Sequence, residues 1–324
     1  MFGNGLDKAQ GMKTSYPEFY EYLQAVKGSP LLEELKKDIN ADKKLWSDME
    51  EAFGLFTEKI KSESDFDQLY FELYDHLRSY LQDQELNYRP SSKNKEKFID
   101  DFLNFGKYLN DYDRGNFELF RTSINDKDHS NMDVMTFNYT HTIETLLSSK
   151  LEPGTTTFLE GNPFSLGQII HVHGELNNEI IVGVDNEKQI ANEAFKDSED
   201  IKDILIKNQS NSSMGYLRPR VCENFIAKAN LIILFGVSLG ATDSRWWKLI
   251  GEQFKNRADL CIIQYIFKPD ASGQVRRQYA GRIKRKQIDQ IMKKMNFNNK
   301  EEWPQNIDER LFFVVNSDAF KFRP

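Results

Sequence analysis

The residues of this chain able to do chemistry sit where apolar runs stop. Asn138 closes "VMTF", His173 follows "IIHV", Asp185 follows "IIVGV", and Ser238 to Asp243 follow "LIILFGV". Asn4 and Asp7 belong to a glycine turn at the start, "FGNGLD". His171 and His173 stand two apart, which on a strand puts both on one side; such a pair ligates a metal if His141 or Asp243 completes the set. No third ligand stands at a recognisable spacing, so the expectation is that His171 is a partly buried strand residue, that only His173 faces a ligand, and that no metal is held. "GVSLG", Gly236 to Gly240, matches the Gly-x-Ser-x-Gly of a nucleophile elbow. A Ser, acid, His order needs a histidine after Ser238, yet all five histidines precede it, which disfavours a serine hydrolase. Small residues from Gly236 leave room for a nucleotide, and Asp243 at the following helix start either caps that helix or accepts from ribose hydroxyls.

Such residues need elements to hold them. Residues 30–129 predict a helical insert. In it Trp46, Met49, Phe53, Phe56 and Ile60, then Phe66, Leu69, Tyr70, Leu73, Leu77 and Tyr80, recur at spacings of three and four. A third helix is expected near Phe98 to Leu109, completing a bundle. Residues 1–29 with 130–324 predict an α/β domain: "MDVMTF", "QIIHVH", "EIIVGV", "NLIILFG", "LCIIQYIF" and "RLFFVV" alternate with helical patterns, as in a parallel sheet. "LIILF" and "CIIQYIF" are apolar without alternation, as strands covered on both faces are. "NQSNSSMG", residues 208–215, predicts a flexible loop. Ligands in open α/β sheets bind outside the carboxyl ends of the strands, which is where the polar residues above fall.

The glycine turn resembles that of a dinucleotide-binding fold, in which Gly3 and Gly5 let the backbone approach a phosphate at a helix N-terminus. Such a turn comes after a strand, and only two residues precede this one. The expectation is therefore a missing first strand, with ~5 to 8 apolar residues supplied upstream. The residues after the turn agree with this: Ser15 and Glu18 form a capping-box pattern with Pro17 in the first turn, ahead of Phe19, Tyr20, Leu23 and Val26 on one face.

The formal charge of -7 argues against an electrostatic grip on a long nucleic acid, and the basic stretch "RRQYAGRIKRKQ" from Arg276 predicts a solvated helix face. The chain has no apolar run near the ~20 residues that a membrane span needs, and the expectation is a cytoplasmic protein without a secretory signal. Cys222 and Cys261 sit in apolar surroundings with no metal-ligand spacing, which fits buried thiols kept reduced.

Taken in order, "GNGLDKAQGMKTSYPEF", "TFNYTHTIE", "HVHG" and "FGVSLGATDSRWW", with a helical insert after the first, resemble the AbiH family of bacteriophage abortive-infection proteins. More distantly, Asn-Tyr before a helix, His-Gly after a strand, and Gly-x-Ser-Leu followed by Asp are similar to sirtuin-like NAD-consuming domains of anti-phage defence. The first resemblance implies defence by growth arrest or death of the infected cell. The second implies a Rossmann-like, sirtuin-like sheet and cleavage of NAD at its nicotinamide bond, with Asn138 and His173 at catalytic positions. Gly3, Gly5, Ser238 and Asp243 then match nucleotide-contacting positions, and Asn4, Asp7 and Gly236 adjoin them. NAD is the expected substrate, a phage-derived component the expected trigger, and the insert is placed to cover the cleft or to pair with a second copy. A nucleotide-binding sensor without turnover is the alternative.

Overall fold

The computed structural model describes residues 1–124, 130–147, 151–159, 162–268 and 279–321. After a short α1 (Gly5–Ala9), α2 (Tyr16–Ala25) starts at the predicted cap: the Ser15 N–H and Oγ–H both donate to Glu18 Oε2, at 3.0 and 2.6 Å. Then come α3 (Pro30–Ala41), α4 (Met49–Phe56), α5 (Glu63–Asn87), α6 (Ser92–Leu103) and α7 (Asp111–Ser123). Ser29, Asp48, Ser62, Ser91 and Asn110 each accept the N–H three residues on at the start of these five. Each such cap is worth ~1 kcal/mol. The two predicted apolar stripes are buried, in one core with Leu176 to Ile206. The third expected helix stops at Leu103, before a 3-10 turn at Phe105–Tyr108. It packs elsewhere: Phe98, Phe102, Phe117 and Phe120 of α6 and α7 lie in a second core with Phe2, Val134, Cys261 and Ile263.

The remaining elements are β1 (Ser130–Thr136), α8 (Thr142–Leu147), β2 (Thr156–Leu159), β3 (Asn162–His171), α9 (Glu193–Asp197), α10 (Glu199–Leu205), α11 (Lys207–Ser213), α12 (Arg218–Lys228), β4 (Leu231–Leu234), α13 (Ser244–Asn256), β5 (Cys261–Ile266), α14 (Ala280–Lys294), α15 (Ile307–Arg310) and β6 (Leu311–Val315). The architecture is mixed α/β and mostly helical, with two three-stranded sheets ordered β1-β3-β2 and β4-β5-β6. All pairs are parallel except β2 on β3. Every residue of β5 is buried, Gln264 among them, with Cys261, Ile263 and Tyr265 toward the second core and Ile262 and Ile266 toward a third under α12, α13 and α14, as expected of a strand covered on both faces.

Phe2 joins the two sheets. It bridges in parallel to Thr136 of β1 and to Phe235 just past β4; its N–H donates to the Met135 carbonyl at 2.9 Å, and the Gly3 N–H donates to the Phe235 carbonyl at 3.0 Å. The place assigned to a missing first strand is thus held, over a short length, by the first residues of this chain. A cavity of about 750 Å³ continues along the same gap, lined by Asn131 to Met135 of β1 and Leu231 to Ile233 of β4.

Two local expectations are corrected. "EIIVGV" forms no strand, only isolated bridges from Ile180 to Gly174 and from Val184 to Ile206. Its apolar side chains are buried, but side chains take its backbone groups: Tyr139 Oη donates to the Ile181 carbonyl, Tyr70 Oη to the Val182 carbonyl, and Glu50 Oε1 accepts the Gly183 N–H. "NQSNSSMG" is not a loop up to Ser213; it is α11, with Ser210 and Asn211 buried. Among the described residues no helix is long and apolar enough to cross a membrane. In the basic stretch Arg282, Arg285 and Lys286 are exposed on α14 and Lys284 pairs with Asp113 at 3.0 Å, whereas Arg276 to Gln278 lie outside the described residues.

Candidate functional site

The last register pair of β1 and β3 is Thr136 with His171, and beyond it both chains turn. Asn138 follows on one side and His173 on the other. Asn138 is 6% exposed and ties three elements together. Its Nδ2 donates to Asp7 Oδ1 at 2.9 Å, its carbonyl oxygen is 2.7 Å from His171 Nδ1, and its N–H donates to Thr136 Oγ1 at 3.2 Å. Gly or Ser at this position lacks the amide that reaches Asp7, and a carboxylate there would face a carboxylate. With Nδ2 engaged, Asn138 Oδ1 is buried with no partner among the described residues.

Asp7, predicted to contact a ligand, instead positions Asn138. It is 1% exposed, and its second oxygen accepts from Thr140 Oγ1 at 2.7 Å. Burial pushes its carboxyl up to about 6, against the hydrogen bonds from Thr140 and Asn138. Asn4 is engaged as well: its Nδ2 donates to the Thr14 carbonyl at 3.1 Å and its Oδ1 accepts from Thr14 Oγ1 at 2.5 Å.

His173 is 5% exposed, and its Nε2 lies 2.7 Å from Asp243 Oδ1. A carboxylate only accepts, so Nε2 carries the proton. Nδ1 is then the lone-pair nitrogen, and it too is buried with no partner among the described residues. Burial and the neighbouring Lys207 ammonium lower the His173 pKa, with Asp243 opposing them, so the ring is neutral. Asp243 does not cap α13 with its side chain. Burial alone would raise its carboxyl, but Lys207 and His173 outweigh that and hold it well below the usual carboxylate range. Lys207 Nζ reaches Glu50 Oε2 at 2.8 Å, Asp243 Oδ1 at 3.1 Å and the Thr242 carbonyl at 3.2 Å. Glu50, itself pushed up by burial, extends the network into α4. The sequence reading missed Lys207 and Glu50. Glu50 is one of several acidic residues on an amphipathic helix and Lys207 precedes an apparent loop, so neither carried a local signal.

The glycines meet one another. A Cβ on Gly5 would stand 2.4 Å from Gly236 Cα, one on Gly3 2.7 Å from the Gly236 oxygen, and Gly236 has φ +68°. The Gly5 N–H donates to the Gly236 carbonyl at 2.9 Å. Backbone packed on backbone therefore accounts for all three. Ser238 is exposed. His171 and His173 do not act as a pair: β3 ends at His171, alternation lapses in the turn, and His171 faces Glu144 while His173 faces Asp243. Behind His173, Gly174 has φ +81°, and a Cβ there would lie 2.9 Å from Arg218 Nη1, a buried guanidinium nitrogen with no acceptor among the described residues. Cys222 and Cys261 are buried thiols, Cys222 pushed up to about 12 and Cys261 also raised; neither is nucleophilic in that state.

Asn138 and His173 thus stand just past the ends of adjacent strands, each held by an acid through one atom and leaving an acceptor with the other. No curated protein and no solved structure matches the chain. The family described as "Bacteriophage abortive infection AbiH" matches residues 1–265. With most of its 324 residues covered, the chain belongs to the AbiH family of bacteriophage abortive infection proteins.

Proposed function

We propose that the protein acts in abortive infection by hydrolysing NAD at the nicotinamide–ribose bond, with Asn138 and His173 as catalytic residues. The role in bacteriophage abortive infection follows from the family. One observation carries the reaction: Asn138 Oδ1 and His173 Nδ1 are buried acceptors without partners, just past the ends of adjacent parallel strands. Each such atom costs ~1–3 kcal/mol when left unpaired. Buried acceptors of this kind suit hydroxyl donors, the ribose diol or an attacking water. As water bonds to the anomeric carbon and the bond to the pyridinium nitrogen breaks, the electron pair leaves with nicotinamide, which departs neutral, and the water proton passes to His173 Nδ1. Asp243 keeps Nε2 protonated and stabilises the imidazolium that forms. Arg218 Nη1, against Gly174, suits one of the dinucleotide's phosphates. Both acceptors are closed from solvent, so turnover requires the surrounding chain to open, which suits an effector held off until a phage-derived trigger arrives.

The test is release of free nicotinamide from NAD by the purified protein. Asn138→Ala and His173→Ala are expected to lower it by ~10²- to 10⁴-fold with the fold intact by circular dichroism. Unchanged release in both variants ends the assignment. NAD binding without release in the wild type favours a nucleotide-binding sensor.

A further inference from the structure

A second cluster lies behind Asn138, and nothing in the proposed reaction uses it. His141, His171 and Glu175 place one ligand atom each within 4.8 Å of one another, and the two imidazole rings are 5.4 Å apart. His171 Nδ1 is 2.7 Å from the Asn138 carbonyl oxygen, and His171 Nε2 is 2.9 Å from Glu144 Oε1. His141 Nδ1 is 3.1 Å from Glu85 Oε1, and His141 Nε2 is 3.1 Å from Glu175 Oε2. Glu144 Oε2 is buried with no partner among the described residues.

The atom types make these contacts diagnostic. A carbonyl oxygen only accepts, so His171 Nδ1 carries a hydrogen and the Nε2 of a neutral ring is a lone pair. That lone pair faces a carboxylate oxygen, one acceptor against another. His141 has carboxylate oxygens at both nitrogens, with the Asn177 amide 3.4 Å from Nε2, so in a neutral ring one nitrogen is a lone pair beside a carboxylate, and the Glu85 hydrogen bond pushes the pKa of the ring up to about 9. These contacts are met by protons added to the rings or to a carboxyl group, or by one cation standing between the nitrogens and the carboxylates, which satisfies all of them at once. Nδ1 of each ring already has the partner a ligating histidine needs, a backbone carbonyl for His171 and a carboxylate for His141, as outer supports of metal sites do.

We propose that His141 Nε2, His171 Nε2, Glu175 and Glu144 bind a divalent first-row metal ion of the zinc class, with Glu85 and the Asn138 carbonyl as its outer support. Two imidazoles with two carboxylates suit such an ion rather than magnesium or calcium. Tetrahedral ligands at ~2.0–2.2 Å from zinc lie ~3.3–3.6 Å apart, so the paired contacts at 2.9 and 3.1 Å open slightly, the separations among His141, His171 and Glu175, at most 4.8 Å, close by side-chain rotation, and Glu144 joins from beside His171 Nε2. Because His171 also holds the Asn138 carbonyl, the ion braces the turn that presents Asn138. The site stands independently of the NAD reaction.

The full chain, freed of metal with a chelator and dialysed, is titrated with cobalt(II) and followed by the visible absorption of the ion and by calorimetry with zinc(II). One equivalent is expected, with a tetrahedral cobalt spectrum, and Glu175→Gln and His141→Asn each weaken binding by at least ~10-fold. Glu175 is partly exposed, so Glu175→Gln is expected to fold, checked by circular dichroism, and it decides the matter alone where His141→Asn does not fold. Absence of saturable binding in the wild type overturns the proposal, and so does binding of undiminished affinity in Glu175→Gln.

Discussion

Replacing Asp7 by Asn should make the protein more stable at neutral and alkaline pH, although it removes a buried charge that accepts two hydrogen bonds. In the folded chain the Asp7 carboxyl is pushed up to about 6 from an ordinary value of 3.8, chiefly by burial. The native state therefore holds this proton more tightly than the unfolded chain does. Its stabilising contribution is full below pH 3.8 and is lost as pH rises through about 6. At ~1.4 kcal/mol per pH unit, the separation corresponds to about 3 kcal/mol above pH 7. In Asp7→Asn the amide oxygen accepts from Asn138 Nδ2, and the NH₂ donates to Thr140 Oγ1 once that hydroxyl turns about. Both existing contacts, 2.9 and 2.7 Å, are kept without ionisation. Urea unfolding of both proteins at about pH 4.5, 6 and 8 measures the effect. The variant should lead by up to about 3 kcal/mol near pH 8 and about 1 kcal/mol near pH 4.5. A variant that is less stable by the same amount at all three values refutes the reasoning, because Asp7 would then be a carboxylate that its donors keep ionised.

Lys207→Met should destabilise by ~3–5 kcal/mol, since the ammonium is 5% exposed and its loss leaves Glu50 and Asp243 buried without a counter-charge; a loss below about 1 kcal/mol in the same urea assay contradicts the described network. Gly5→Ala puts a Cβ 2.4 Å from the Gly236 backbone, whereas Gly11→Ala meets nothing within 4 Å and carries only the strain of φ +84°. That strain is worth ~1–2 kcal/mol, so thermal midpoints should fall further for Gly5→Ala, and the opposite order would show that the two turns do not touch.

Periodicity made the helical stripes of α4 and α5 legible, because a buried helix face must repeat at three and four residues. The mostly apolar, non-alternating run of β5 was legible for a similar reason, both of its faces being covered. The stretch "EIIVGV" was not. Burial explains its apolar side chains equally well in a strand or in an irregular segment, and what decided was that Tyr70, Tyr139 and Glu50, distant in sequence, took its backbone groups. "NQSNSSMG" misled by composition; Lys207 ahead of it is anchored to Glu50 and Asp243, and Ser210 and Asn211 are buried.

The candidate site divides in the same way. Asn138 and His173 were found from sequence because a polar residue closing an apolar run marks a strand end, and strand ends are where such sheets present side chains. The glycines were found too, but their reason is the close approach of two turns 231 residues apart, Gly5 on Gly236. Which atom each residue leaves free is a tertiary matter. Asp7, Asp243, Lys207 and Glu50 reach these side chains from separate elements, and the histidine pair at 171 and 173 parts because β3 ends between them. The sequence by itself determined which residues had to be buried and which polar ones stood at strand ends, through local periodicity and residue type. Only the tertiary structure decided their partners, because hydrogen bonds and ion pairs in a desolvated site depend on distances across the fold that no local pattern encodes.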